Sequence, residues 1–271
     1  LGFPFMAFHQ SDKAIRPLYS QRQIPLYMTT PIGSFMVEPE NSQFGRQDYW
    51  NQFYKETSQF SWYAGWKDLE PFVREFVHVD DTILIPGVGN DAMLVDMYQA
   101  GFTHLTAMDY AAQGIARCRE MLQESKRLQQ PESPSSSSLP QSKTDTNANR
   151  NDVGVTLVVA DARDLAHVFE DHSFQVIIEK GTLDAIFLSG GQNKTLAQEN
   201  MNLAMAELER CLQPGGIWIS IAAVVDTQIE KAFDDFGPKW ECLVRREELF
   251  VTKDGYTSNN IDGSLLVWRK R

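Results

Sequence analysis

The stretch "DTILIPGVGND", Asp81 to Asp91, limits the fold more than any other part of the chain. Its apolar run, bounded by turn residues, reads as a strand buried on both faces. The glycines after it permit a sharp turn into the helical pattern "NDAMLVDMYQAG", closed by Gly101. The unit then recurs: "HLTAMD" reads as a second strand and "AAQGIARCREMLQESKRL" as a second helix. "VTLVVAD" and "FQVIIEK" read as the third and fourth strands. A helix from about Leu196 to Leu212 leads through the turn "QPGG" to a fifth strand, "IWISIAAV". Such alternation predicts a mostly parallel sheet with helices on both faces. "WECLVRREELFV" and "GSLLVWRKR" add two strands joined by a loop, and Leu69, Phe72, Val73, Phe76 and Val77 recur at the spacing of one helical face upstream.

Two segments stand outside this rhythm. Gln129 to Asp152 is Ser, Pro and Asn with almost nothing to bury, which predicts a disordered surface insertion. Loop-closure cost grows slowly with length, so the flanking helix and strand can dock as if the insert were short. Residues 1–40 form a second such segment, in which Asp12 is the one acid of the first 37 residues beside Lys13, Arg16 and Arg22. That is the composition of a transit remnant or of an untidy leader, and a chain beginning at Leu1 suggests processing or trimming. The expected organisation is a leader over 1–40 and one α/β domain over 41–271, interrupted at 129–152.

Composition removes several function classes. Cys118, Cys211 and Cys242 lack CxxC spacing and leave one thiol over in any disulfide scheme, so a reducing compartment is expected, the cytoplasm or, if the leader is a transit remnant, an organelle. His9, His78, His104, His167 and His172 are scattered without ligand spacing, so no metal site is expected. A formal net charge of −11 argues against a nucleic-acid partner, which needs clustered Lys and Arg, and is compatible with a basic protein partner. No apolar run approaches a membrane span.

The glycine turn is compatible with several nucleotides. Gly87 and Gly89 let a ligand approach the backbone, but the third glycine of the dinucleotide fingerprint is replaced by Asp91, whose charge opposes a pyrophosphate. An NAD dehydrogenase is thereby disfavoured. A cationic sulfonium ligand tolerates the acid. Asp109, ending the second strand, is placed either to accept from both ribose hydroxyls or to cap the next helix, and the two roles are compatible. Asp161 is placed to accept from an adenine amino group or to serve a turn.

"FQVIIEKGTLDAI", Phe174 to Ile186, closely resembles the fourth-strand signature of a group of class I methyltransferases, the methyltransferase-like enzymes that modify translation elongation factor 1-alpha. The resemblance runs from about Phe44 to Ser220, interrupted by the insert. "FGRQDYWNQFY" and "FSWY" are similar to the family's aromatic N-terminal segment, "GVGN" to its cofactor turn and "MDY" to its ribose motif. It implies a Rossmann-like seven-stranded fold, mostly parallel with an antiparallel C-terminal strand, and S-adenosylmethionine as cofactor. By similarity, Trp50, Tyr54 and Trp62 line or cover the cofactor. Gly87 approaches its methionine part and Gly89 belongs to the same cofactor turn, Asp109 and Tyr110 hold ribose and flank adenine, Asp161 and Ala162 read the adenine edge, and Lys180 adds a contact. Pro86, Val88 and Asp91, the last in place of the family's typical serine, depart from the pattern.

For the reaction the resemblance implies, Glu179 is the candidate to orient an acceptor amine; a carboxylate holding the cofactor loop or pairing with Lys180 is the alternative role. The acceptor implied is a protein lysine. A small-molecule acceptor and a cofactor-binding pseudoenzyme serving as an interaction module remain alternatives, and oligomeric state is open.

Overall fold

Every position of the strand Ile83–Pro86 (β1) is buried, because the sheet around it is covered twice. Ile83 and Ile85 face one apolar cluster and Leu84 faces another. Alternate side chains of a strand point to opposite faces, so a run without polar breaks needs a core on each side. The computed structural model describes residues 43–129, 154–223, 226–235, 239–249 and 263–271. The leader 1–40, and the insert apart from Gln129, lie outside the described residues.

The remaining strands are β2 (Leu105–Asp109), β3 (Val155–Val159), β4 (Phe174–Lys180), β5 (Leu212–Ala222), β6 (Trp240–Leu249) and β7 (Gly263–Lys270). They form one seven-stranded sheet in the order β3-β2-β1-β4-β5-β7-β6. β1 through β5 are parallel, and β7 runs antiparallel to both β5 and β6. The chain order reverses between β1 and β4, and the carboxyl ends of strands at such a switch point form the crevice where open α/β sheets take ligands.

Two helical layers supply the two cores. α2 (Trp66–Phe76), α3 (Met93–Gln99) and α4 (Ala112–Gln129) cover one face through residues such as Leu69, Val73, Leu94, Met97, Ile115 and Leu122. On the other, α6 (Lys194–Cys211) and α7 (Asp226–Asp235) contribute Met201, Ala204, Met205, Leu208, Ile229 and Phe233. Each such side chain removed from water is worth about 1.5–3 kcal/mol before conformational entropy is charged. Two further helices, α1 (Gln47–Glu56) and α5 (Thr182–Leu188), sit at the carboxyl edge of the sheet, where they shape the site.

Local chemistry accounts for the departures from the sequence reading. The helix expected from Asn90 begins at Met93, because Asp91 accepts the Met93 N–H at 2.8 Å and holds the preceding residues in a turn. "QPGG" lies within β5 as an irregularity: Phe174 pairs with Leu212 but Val176 pairs with Ile217, so the glycine pair is bulged out of register. α1, α5 and α7 have no counterpart in the sequence reading.

Candidate functional site

The turn after β1 is held open by its own neighbours. Gly87 and Gly89 have φ values of 62° and 59°, the left-handed region that disfavours a β-carbon. A β-carbon on Gly87 would collide with the Thr182 side chain, and one on Gly89 would stand 2.9 Å from the Tyr54 hydroxyl. Both glycines are therefore required by packing from α5 and α1, in addition to any ligand. The Val88 N–H donates to Met108 O at 3.0 Å, tying the turn to β2.

Asp109 joins that turn to the next. Its Oδ2 accepts the Gly89 N–H at 2.9 Å and its Oδ1 the Ala111 N–H at 2.8 Å. Each carboxylate oxygen has a second lone pair, so both can still accept a ribose hydroxyl. Burial pushes the Asp109 carboxyl up to about 6, and the two N–H donors oppose that shift. Asp109 thus fixes the residue just before α4 and keeps a lone pair on each oxygen for a ligand.

An open cavity of about 430 Å³ lies next to it, lined by Gly45, Gln47, Tyr110, Val159, Ala160, Asp161 and Arg163. Asp161 accepts three charge-assisted bonds from Arg163, the shortest 2.7 Å, and the Arg163 N–H at 2.9 Å. Burial raises the Asp161 carboxyl, but Arg163 outweighs it and keeps the group below its usual range. Ala162 turns its side chain into the second core cluster and is not among the residues that line the cavity.

The aromatic residues form a cap. Trp50 and Tyr54 stack with centroids 5.5 Å apart, and Trp62 meets Trp50 edge-on at 6.2 Å. α1 carries the first two and is anchored to α4: Arg117 donates to Tyr54 O at 2.8 Å and to Lys55 O at 2.9 Å, while Asn51 accepts the Gln113 N–H at 3.0 Å. The Trp50 indole donates to Phe44 O at 2.7 Å. Trp62 belongs to a strap, residues 57–65, fixed by a residue the sequence reading gave to the cofactor. The Lys180 amine is buried and ion-paired with Asp91, and it donates to Ser61 Oγ at 3.0 Å and to Trp62 O at 2.7 Å. Asp91, which replaces the family's typical serine, is thus the counter-charge of Lys180.

Glu179 sits below this rim. It is fully buried, its Oε1 accepts from the Ser220 hydroxyl on β5, and its Oε2 accepts the Leu183 N–H at 3.3 Å. Burial pushes its carboxyl up to about 8, opposed by the Ser220 hydroxyl. The carboxylate thus joins β4 to β5 and to the start of α5, and, as in Asp109, each oxygen keeps a second lone pair. It does not pair with Lys180, whose acidic partner is Asp91.

Trp50, Tyr54, Trp62, Gly89, Asp109 and Tyr110 thus cluster over the turn, with Asp161 at the cavity and Lys180 and Glu179 beneath the strap. The sequence reading missed Ser61, Asp184, Thr182 and Arg163. Thr182 and Asp184 lie inside "EKGTLDAI", and Ser61 and Tyr63 inside "FSWY"; the Ser61–Lys180 and Tyr63–Asp184 pairings span more than a hundred residues and have no local signal. The geometry fits S-adenosylmethionine. It offers a cavity beside Tyr110 and Asp161, a second lone pair on each oxygen of the buried Asp109, and an aromatic cap over the turn.

A family described as "Methyltransferase domain" matches residues 84–220, about half of the chain. The eEF1A lysine and N-terminal methyltransferase homolog of Drosophila melanogaster is 26% identical over 234 residues, covering 86% of this chain and 30% of that protein. The mouse EEF1A lysine methyltransferase 4 is 24% identical over 200 residues, covering 72% of this chain and 67% of that one. The chain thus spans about a third of the length of the first of these relatives. Among solved structures, the [4+2]-cyclase SpnF aligns with a TM-score of 0.55 at 14% identity, over 86% of this chain and 97% of that one, a likeness of fold. Family match, strand order and site geometry agree: the chain belongs to the class I, Rossmann-like, S-adenosylmethionine-dependent methyltransferases.

Proposed function

We propose that this chain methylates an amine on a protein, a lysine of an elongation-factor-1A-like partner. The observation that carries the reading is the alignment of most of the chain with proteins named as eEF1A lysine methyltransferases. S-adenosylmethionine supplies a methyl group activated by a sulfonium. In-line displacement asks the protein for positioning and charge placement rather than covalent chemistry. Asp109 accepts the ribose hydroxyls, Tyr110 flanks adenine, and Asp161 with the backbone of Ala162 reads its edge. Gly87 and Gly89 keep the turn close to the methionine part. Trp50, Tyr54 and Trp62 exclude water and turn ring faces towards positive charge.

An acceptor lysine must lose its proton before it can attack, and a desolvated rim favours the neutral amine. Glu179 acts here as a positioning residue: it sets the end of β4 and the start of α5, and so the height of Lys180 and Gly181 under the strap. Lys180 contributes in the same way, through Ser61 and Trp62.

The test is incubation of the chain with methyl-labelled S-adenosylmethionine and either purified eEF1A or a fractionated cell extract, with Asp109→Ala as control. Label recovered as methyl-lysine in a protein, and lost in the control, is the expected result. Label confined to small molecules would replace the protein acceptor with a metabolite, and cofactor binding without turnover would make the chain an interaction module.

A further inference from the structure

Tyr63 is the most constrained residue of the strap. The Ala64 N–H donates to Trp62 O at 2.6 Å with Tyr63 at φ 62° between them, the rare γ-turn of positive φ. A residue with a β-carbon holds that conformation only where its surroundings compel it. Here they do. The ring passes between the ends of two strands where neither neighbour has a side chain: a β-carbon on Gly181 would stand 3.1 Å from it, and one on Gly263 3.3 Å. The hydroxyl donates to Asp184 Oδ2 at 2.6 Å, and that same oxygen accepts the Ala223 N–H at 3.0 Å, just past β5. One carboxylate in the first turn of α5 therefore holds both the strap and the exit of β5.

We propose that Tyr63 is a positioning residue, the latch that keeps the 57–65 strap closed over the carboxyl rim, so that breaking its hydrogen bond to Asp184 is the step that frees a bound nucleoside. Residue and partner are 121 positions apart in sequence, so nothing local requires the contact. The strap has a second anchor in the Lys180 amine on Ser61 and Trp62, but that anchor precedes Tyr63, and Tyr63 ties the strap to the β5 side. Burial, and then the Asp184 charge, push the phenol well above its usual range, so it is a donor at every working pH. Glu179 is the other acid that faces it, and it acts in the same direction. Through Asp184 and Ala223, strap closure on the cofactor side is coupled to the chain leaving β5.

The inference rests on the cofactor lying beneath this strap, and the experiment separates the two claims. S-adenosylhomocysteine is bound to the full chain and its dissociation followed by stopped-flow tryptophan fluorescence, for which Trp50 and Trp62 are resident reporters. Tyr63→Phe keeps the ring and removes the donor; loss of one charge-assisted hydrogen bond predicts release about tenfold faster. Amide exchange over 57–65 should quicken while that of β1 and β4 stays slow. Release within twofold of the unsubstituted protein, in a folded variant, overturns the latch; failure of the unsubstituted chain to bind the probe overturns the cofactor assignment instead. If Tyr63→Phe does not fold, exchange in the unsubstituted protein decides. Opening of Trp62–Ala64 at the rate of probe release supports the latch, and exchange of these amides only by global unfolding overturns it.

Discussion

Asp109 and Glu179 are both buried acids raised by desolvation, yet their titrations act on different observables. In the ribose-binding role proposed for it Asp109 accepts two hydroxyls as a carboxylate, and burial raises that carboxyl to about 6. Affinity for S-adenosylmethionine is therefore expected to be flat above that pH and to fall about tenfold per unit below it. Titration calorimetry from pH 5 to 7.5 checks this, and Asp109→Asn should bind about ten- to a hundredfold more weakly at the upper end, with the slope gone. For Glu179 the sign is read on stability. Its folded value, about 8, lies above its unfolded one, so its contribution is complete below the unfolded value and is lost as pH rises through the folded one. In that window the group alone should lower unfolding free energy by about 1.4 kcal/mol per pH unit. Urea denaturation between pH 5 and 8 should show Glu179→Gln with a shallower slope than the parent, and an equal slope would mean that the Glu179 carboxyl titrates at its ordinary value.

Elements differ in how far they can be read from the chain. β1 is legible because a strand covered on both faces is apolar at every position, and β2, β4 and β7 carry apolar runs between polar residues. α5 was not, although its residues were quoted as a motif: seven residues are too few to display a helical period, and its start depends on Gly181 at φ 73° and on the buried Glu179. The site divides in the same way. Asp109 and the glycines announce themselves by their place at strand ends, whereas the Lys180–Asp91 pair and the Tyr63–Asp184 bond exist only once distant elements meet. The turn after β1 gives a direct test. Gly87→Ala must place a β-carbon at φ 62° against Thr182, whose hydroxyl donates to Pro86 O at 2.8 Å. A left-handed β-carbon alone costs roughly 1–2 kcal/mol, and displacing Thr182 adds to it. Chemical denaturation should therefore show a loss of at least about 1 kcal/mol even without cofactor; no loss would mean that the glycine serves the ligand alone.

For the whole molecule the governing quantity is charge. The chain carries a net charge of −11, and its candidate cofactor cavity is open to solvent at one edge of the sheet. Among the described residues no helix is long and apolar enough to cross a membrane, and no cluster of His, Cys, Asp and Glu could hold a metal ion. Long-range attraction from an acidic surface raises the encounter rate with a basic protein and is screened over about 8 Å at physiological ionic strength. The cofactor carries one net positive charge at neutral pH, but the contacts proposed for it are at hydrogen-bond range, well inside the screening length. The two substrates should thus respond differently to ionic strength. With a basic protein acceptor such as eEF1A, raising salt from 0.05 to 0.3 M should increase the KM for the acceptor by roughly three- to tenfold while the Kd for S-adenosylmethionine stays within twofold. Steady-state kinetics in parallel with calorimetry measure both. An acceptor KM indifferent to salt would mean that recognition is short-range and that the acidity of the chain serves solubility alone, and equal weakening of both would point to a salt effect on the fold, which a melting curve in the same buffers would reveal.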